Sequence, residues 1–170
     1  SRKEKVAERQ ELAEMAGLKP VVLDIESYAA RAVAMNQIQR LPNQGKDLIV
    51  ALFEMSSMST TLQVLQNGQV LYERDQVFGG AQLTQLIVRQ YGFSPEEAEQ
   101  KKRSGDLPED FSSTVLTPFV ESTAQEVARA LQFFYTSTPF NSVDYILLGG
   151  GAAALEGLVE TVASTTSTVC

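Results

Sequence analysis

The apolar positions of this chain change period twice. "LIVALFE" (48–54), "TTLQVLQ" (60–66) and "QVLYERD" (69–75) read as three strands. The first is apolar on both faces and is expected to be central. The third alternates, Val70 and Tyr72 facing one way and Leu71 and Glu73 the other, as a strand near an edge does. Asn67-Gly68 between the second and third favours a type I′ turn, which needs positive φ at both positions. From residue 81 the period becomes helical. "AQLTQLIVRQYG" (81–92) repeats Leu83, Leu86, Ile87 and Tyr91 at helical spacing. "SPEEAEQKKRSG" (94–105) opens with a capping serine, a first-turn proline and acids, and closes with bases and a glycine. Residues 110–137 carry the longest helical pattern, Leu116, Phe119, Val120, Thr123, Val127, Leu131 and Phe134, in which Pro118 either starts the regular helix or kinks an earlier turn. "VDYILL" (143–148) is a buried strand, and "AALEGLVETVAS" (153–164) a final amphipathic helix.

Upstream, residues 2–16 are rich in helix formers and Gly17 is a plausible stop. "KPVVLDI" (19–25) reads as a short strand, "ESYAARAVAMNQ" (26–37) as a helix, and "RLPNQGKD" (40–47) as a linker and the main boundary. The order after residue 46 is therefore β-β-β-α-(α-α)-β-α. That is an α/β class with a mixed sheet starting in a three-strand meander, half of a two-lobed nucleotide-binding architecture.

Composition narrows the chemistry. The 170 residues suit one domain or one lobe with a small appendage. A net charge of −7 lacks the basic footprint of a nucleic-acid binder. The absence of histidine removes Ser-His-Asp and Cys-His catalysis and the usual catalytic zinc sites. Cys170 is the single cysteine, which fits a reducing cytoplasm. "LIVALF" (48–53) is far short of the ~20 residues of a membrane helix, and "SRKEKVAERQ" has no apolar signal core, so direct membrane insertion is not expected. The chain begins without Met and ends at "STTSTVC", which suggests a fragment or trimmed ends.

Four stretches together resemble a known family. "GLKPVVLDIESYAARA" (17–32), "FEMSSMSTTLQVLQNGQVLYERDQVFGGAQLTQLI" (53–87), the pair "EEAEQKKRSGDLP" (96–108) and "ARALQFFYTST" (128–138), and "VDYILLGGGAAALEGL" (143–158) are similar, in order, to the second lobe of the PilM family, actin-like cytoplasmic proteins of type IV pilus assembly. The resemblance implies an actin-like, ribonuclease H-like ATPase lobe. Residues 1–40 would be a remnant of the first lobe and the crossing. Residues 41–170 would be the second lobe, with a helical insertion at 94–137. The rest of the first lobe would precede residue 1, and a closing strand and helix would follow residue 170. It implies a scaffold at the inner face of the inner membrane, peripheral through its partners. Such a scaffold captures the N-terminal cytoplasmic tail of a PilN-type protein and links the pilus platform of twitching motility to motor ATPases or their regulators. ATP or ADP with Mg²⁺ would be ligand or switch, and homo-oligomers are allowed.

The family hairpin reads Asp-x-Gly-x-x-x-Thr, its acid holding Mg²⁺ through water and its tight loop presenting amides and a hydroxyl to phosphates. The matching residues are Glu54, Ser56, Ser57, Ser59, Thr60 and Thr61. Glutamate replaces aspartate, and Ser56 replaces the glycine; both departures weigh against strong Mg-ATP binding and turnover. The other reading of "SSMSTT" is a polar turn without a ligand. Gly79 and Gly80 match the glycine pair before the next helix, and Thr84 faces ribose or solvent. Gly149, Gly150 and Gly151 match the adenosine motif, or else form a tight strand-to-helix turn. Asp24, Glu26 and Tyr28 face the cleft or cap a helix. Glu96, Glu97 and Glu99 with Lys101, Lys102 and Arg103 read as a solvated helix face, and Phe133, Phe134 and Tyr135 as packing. An active ATPase or phosphotransferase lobe is the enzymatic alternative, and an FtsA-like polymerising protein a third.

Overall fold

A computed structural model describes residues 3–170; Arg2, the first residue of the expected N-terminal helix, lies outside them. Its elements are α1 (Lys3–Met15), α2 (Glu26–Ile38), β1 (Ile49–Met55), β2 (Thr60–Gln66), β3 (Gln69–Gln76), α3 (Gly80–Tyr91), α4 (Pro95–Ser104), α5 (Thr117–Ser137), β4 (Tyr145–Gly149) and α6 (Leu158–Thr166). The strands form one mixed sheet in the order β3-β2-β1-β4. The meander is antiparallel, and β4 returns parallel to β1 after the helical crossover.

The apolar pattern of β1 on both faces has a direct cause. Ala51, Phe53 and Met55 pack with Leu62 and Val64 under α3, α5 and α6, where Leu83, Ile87, Val127, Phe134, Leu158 and Val162 are buried. Val50 and Leu52 point the other way and, with Leu65, meet Ala30, Ala34 and Ile38 of α2. The edge strand β3 departs from strict alternation. Val64 pairs with Tyr72 but Leu65 with Val70, so Leu71 is an extra residue in a bulge. Val70 therefore packs toward α2 and Tyr72 toward Phe134, on opposite faces rather than the same one. The hairpin turn has positive φ at both Asn67 (50°) and Gly68 (78°).

The linker is tied to that turn. Asp47 N donates to Asn67 Oδ1 at 2.8 Å, and Asn67 Nδ2 donates to Asp47 Oδ1 at 2.9 Å. Residues 19–25 are not a strand. They form no regular element and are mostly exposed, Val21 being 81% exposed, because β propensity alone makes no strand without a neighbour to pair with. The long helix begins in a widened turn at Ser112–Leu116, where the Thr117 hydroxyl reaches back five residues to Ser112 O at 2.8 Å. Pro118, which has no N–H to give, follows in the first turn of α5. The predicted helix 153–164 is also broken. A single tight turn at Gly151–Ala154 is followed by extended Leu155 and by Gly157 at φ 78°, so α6 starts only at Leu158.

Candidate functional site

Parallel pairing of β1 and β4 sets Glu54 beside Gly149, so both strands deliver their following loops to one edge of the sheet. The chain after β3 returns to the same edge. Ser56 N donates to Ser59 O at 2.9 Å and closes the hairpin loop. Gly80 N donates to Ser56 O at 3.1 Å and Ala81 N to Ser57 O at 2.8 Å, so the opening amides of α3 hold the hairpin loop. Thr60, buried at the start of β2, donates its hydroxyl to Phe78 O at 2.9 Å and fixes the third approach. Three loops, at 56–59, 77–80 and 149–154, thus meet in one place.

The glycines of these loops differ in what they touch. A Cβ on Gly79 would sit 2.6 Å from Ser57 O and still nearer Ser56 O. A Cβ on Gly150 would lie 2.7 Å from the Met55 carbonyl carbon, and one on Gly149 2.5 Å from Glu54 Oε2. At Gly80 and Gly151 nothing lies within 4 Å. The first three are packed against protein; the last two face open space.

Two cavities flank the hairpin loop. The first, about 410 Å³, is lined by Ser56, Ser57, Gly80, Gly151, Ala152 and Leu155, and closed by Glu99, Lys102 and Arg103 of α4. Thr84 is bonded to its wall: its hydroxyl donates to Glu99 Oε2 at 2.8 Å and accepts from Lys102 Nζ at 2.7 Å. Lys102 also donates to Glu99 at 2.6 Å, and Arg103 at 3.0 Å. These donors, Lys102 first, hold the Glu99 carboxyl down at about 2 although partial burial opposes them. The second cavity, about 360 Å³, is acidic, with Glu26, Glu54, Ser56, Ser59, Thr61, Gln63, Glu73 and Asp75 in its walls. Burial, and then the charge of Glu26, push the Glu54 carboxyl above its ordinary value. Ser56 Oγ donates to Glu26 Oε1 at 3.4 Å. Gly149 and Gly150 open instead onto an apolar groove of about 440 Å³ between α2 and β4.

Of the residues read from the sequence, Ser56, Ser57, Gly80 and Gly151 border one cavity directly, and Thr84 is bonded to its wall. Glu54, Ser59 and Thr61 border the acidic one, while Thr60 and Gly79 lock the loops together. Glu99 and Lys102 are not solvated bystanders but bridge α4 to Thr84 of α3. Gln63, Glu73 and Asp75 belong to no motif that marks them as site residues in the sequence. The available signal was polar residues at every second position of two paired strands. Among the described residues no three carboxylates form a metal-binding group, and no helix is long and apolar enough to cross a membrane.

A βββ meander, a parallel return strand and loops converging at its carboxyl edge define a lobe of the actin-like fold. Solved structures agree with that class. The chain superposes on ethanolamine utilization protein EutJ from Carboxydothermus hydrogenoformans at a TM-score of 0.63 with 21% identity, covering 94% of this chain and 53% of that one. An archaeal actin homologue gives 0.57 with 12% identity over 89% of this chain and 49% of its own. A type IV pilus biogenesis complex of PilM and PilN gives 0.76 with 27% identity, covering 99% of this chain and 47% of that one. The profile of the type IV pilus assembly protein PilM family matches residues 1–170, and the chain belongs to that family. It spans about half the length of the solved structures it matches.

Proposed function

We propose that this chain is the second lobe of a PilM-type scaffold for type IV pilus assembly, with one side of a nucleotide cleft at its converging loops. Residues 1–40 belong with the first lobe and the crossing, and residues 41–170 form the second lobe with the 94–137 insertion. The observation that carries this reading is the cavity where Ser56, Ser57, Gly80 and Gly151 meet Lys102 and Arg103. Hydroxyls, a backbone free of Cβ atoms and two cations are what a nucleotide needs on one side. The family match supports the pilus assignment.

The residues present fit such a ligand in part. Gly151 leaves room for close approach, whereas the first α3 amides are engaged with the hairpin and cannot serve phosphate. Mg²⁺ is commonly held by one or two carboxylates together with phosphates, and Glu54, on the other side of the hairpin loop in the acidic cavity, is the residue that would hold it. When bound, a nucleotide with Mg²⁺ supplies a charged ligand that ties two lobes together. This chain's residues orient and neutralise it: Lys102 and Arg103 face its anionic or aromatic parts, and the Thr84–Glu99 pair keeps Lys102 in place. Ser56, where the family has glycine, fills part of the approach and donates to Glu26, which weighs against both tight Mg-nucleotide binding and turnover. The whole protein then sits at the cytoplasmic face of the inner membrane. There it binds a PilN-type tail and passes the state of the cleft to the pilus motors.

Calorimetric titration of Mg-ADP and Mg-ATP into this chain and into the full-length protein tests the cleft. Binding to the full-length protein, weakened tenfold or more by Lys102→Ala, is expected. No binding to the full-length protein removes the cleft from the proposal. A PilN-type tail peptide titrated into the same full-length protein tests the scaffold role separately.

A further inference from the structure

The acidic cavity holds a polar atom that the fold leaves unmet. Gln63, in the middle of β2, is only 2% exposed. Its Nε2 donates to Glu73 Oε2 at 3.3 Å and to Ser27 O at 3.5 Å, while Oε1 has no partner. Turning the amide over would set its oxygen against those two acceptors, so the hydrogen bonds themselves fix the orientation. A buried carbonyl oxygen in this state lacks a donor that must come from outside the strand.

Its surroundings specify the donor. The cross-strand pairs Thr61–Asp75 and Gln63–Glu73 lie side by side on the face where an apolar core would be expected. Asp75 Oδ1 accepts from the Thr61 hydroxyl at 2.6 Å, and Glu73 Oε2 accepts from Gln63, which leaves the second oxygen of each carboxylate free for another donor. Glu26 and Glu54 line the same cavity, and none of the four acids takes part in an ion pair among the described residues. Burial first, and then the negative charge of Glu26, raise the Glu54 carboxyl above its ordinary value. No three of these carboxylates are grouped closely enough to hold a metal ion. An extended, planar cation with several donors suits acceptors spread along two strands better than a point charge does. The arginines nearest in sequence are engaged elsewhere: Arg31 lies over Tyr28, and Arg74 lies over Phe133 on the opposite face of the sheet.

We propose that this cavity receives an arginine side chain from a separate polypeptide, its guanidinium pairing with Glu73 and Asp75 and donating to Gln63 Oε1. The site lies on the β2–β3 side of the hairpin loop and shares Glu54, Ser56, Ser59 and Thr61 with the residues matched to the phosphate hairpin, so it is tested without nucleotide. It would give the lobe a point of attachment for a basic partner segment.

The test is nuclear magnetic resonance on the ¹⁵N-labelled chain without nucleotide, following the Gln63 side-chain amide. The titrants, at matched ionic strength, are N-acetyl-arginine amide, its neutral analogue N-acetyl-citrulline amide, free L-arginine and MgCl₂. The capped arginine should shift the Gln63 signal saturably, at least tenfold more tightly than citrulline. Glu73→Gln with Asp75→Asn should weaken that binding tenfold or more while the remaining spectrum stays native. If the double variant loses its fold, Glu73→Gln alone is read in the same way. Equal response to citrulline, undiminished binding in the variant, or a saturable response to Mg²⁺ in place of arginine overturns the proposal. Tighter binding of free L-arginine than of the capped residue would make the ligand an amino acid and overturn its assignment to a polypeptide.

Discussion

Replacing Gly150 by alanine separates packing from ligand approach in the loop after β4. Gly150 has φ 87° and ψ 175°, a region open in practice to glycine alone. Holding an alanine there costs about 1–3 kcal/mol. The new methyl would also overlap the Met55 backbone, a contact that cannot rotate away, and forced overpacking adds about 1–3 kcal/mol. Together Gly150→Ala should destabilise the chain by about 2–6 kcal/mol, a large share of the ~5–15 kcal/mol typical of a domain. Gly151→Ala is the internal control: its φ is not positive and its Cβ would meet nothing within 4 Å. It should leave stability within about 0.5 kcal/mol of the parent, because it meets none of the mechanisms that make substitutions costly. Urea unfolding followed by circular dichroism gives both values, with unchanged m as the check that two-state comparison holds. A Gly150→Ala chain as stable as the parent, or a Gly151→Ala chain equally damaged, would refute the division of these glycines.

Other consequences follow from the same geometry. Glu54→Gln should stabilise the ligand-free chain at pH 7 by up to about 1 kcal/mol. A carboxyl raised above its usual 4.5 favours the folded state only while protonated, so the gain should vanish in melts below that pH. Glu99→Gln should do the reverse. Its carboxyl, lowered from 4.5 to about 2, contributes at neutral pH and loses that contribution as pH falls between those values. The side chain is partly exposed, so screening keeps the loss to about 0.5–1 kcal/mol in melts at pH 6. Phe134→Ala should cost about 3–5 kcal/mol in urea unfolding, since the ring is fully buried between Tyr72, 5.5 Å away, and Phe140, 5.9 Å away. Asp144→Ala should cost about 1–3 kcal/mol on the same assay, because its Oδ2 accepts the Ile49 N–H at 2.7 Å where β1 begins.

The sheet was legible because its signals are local. β1 and the Asn67-Gly68 turn each follow from two or three residues of pattern, and both stand as expected. What local pattern misses is any feature decided by a neighbour. "PVVLD" has β propensity but no adjacent strand, so it stays outside the sheet. The Leu71 bulge reverses Val70 relative to Tyr72 through pairing with β2, which alternation along β3 cannot register. Glu99 looks like one more acid on a charged helix until α4 is laid against Thr84. In each case the missing information is long-range.

The three consecutive glycines show how structure and function share one short segment. The parallel register of β4 against β1 brings Gly149 against the Glu54 carboxylate and Gly150 against the Met55 backbone, so these two serve the joint between loops. Gly151, one residue on, has left the strand and borders the 410 Å³ cavity with no neighbour in reach. A tight turn and an open approach are therefore not rival explanations of the segment. The first two glycines are packed against the neighbouring loop and strand, and the third is bare. Their effects should therefore be separable, stability changing at Gly150 and ligand affinity at Gly151.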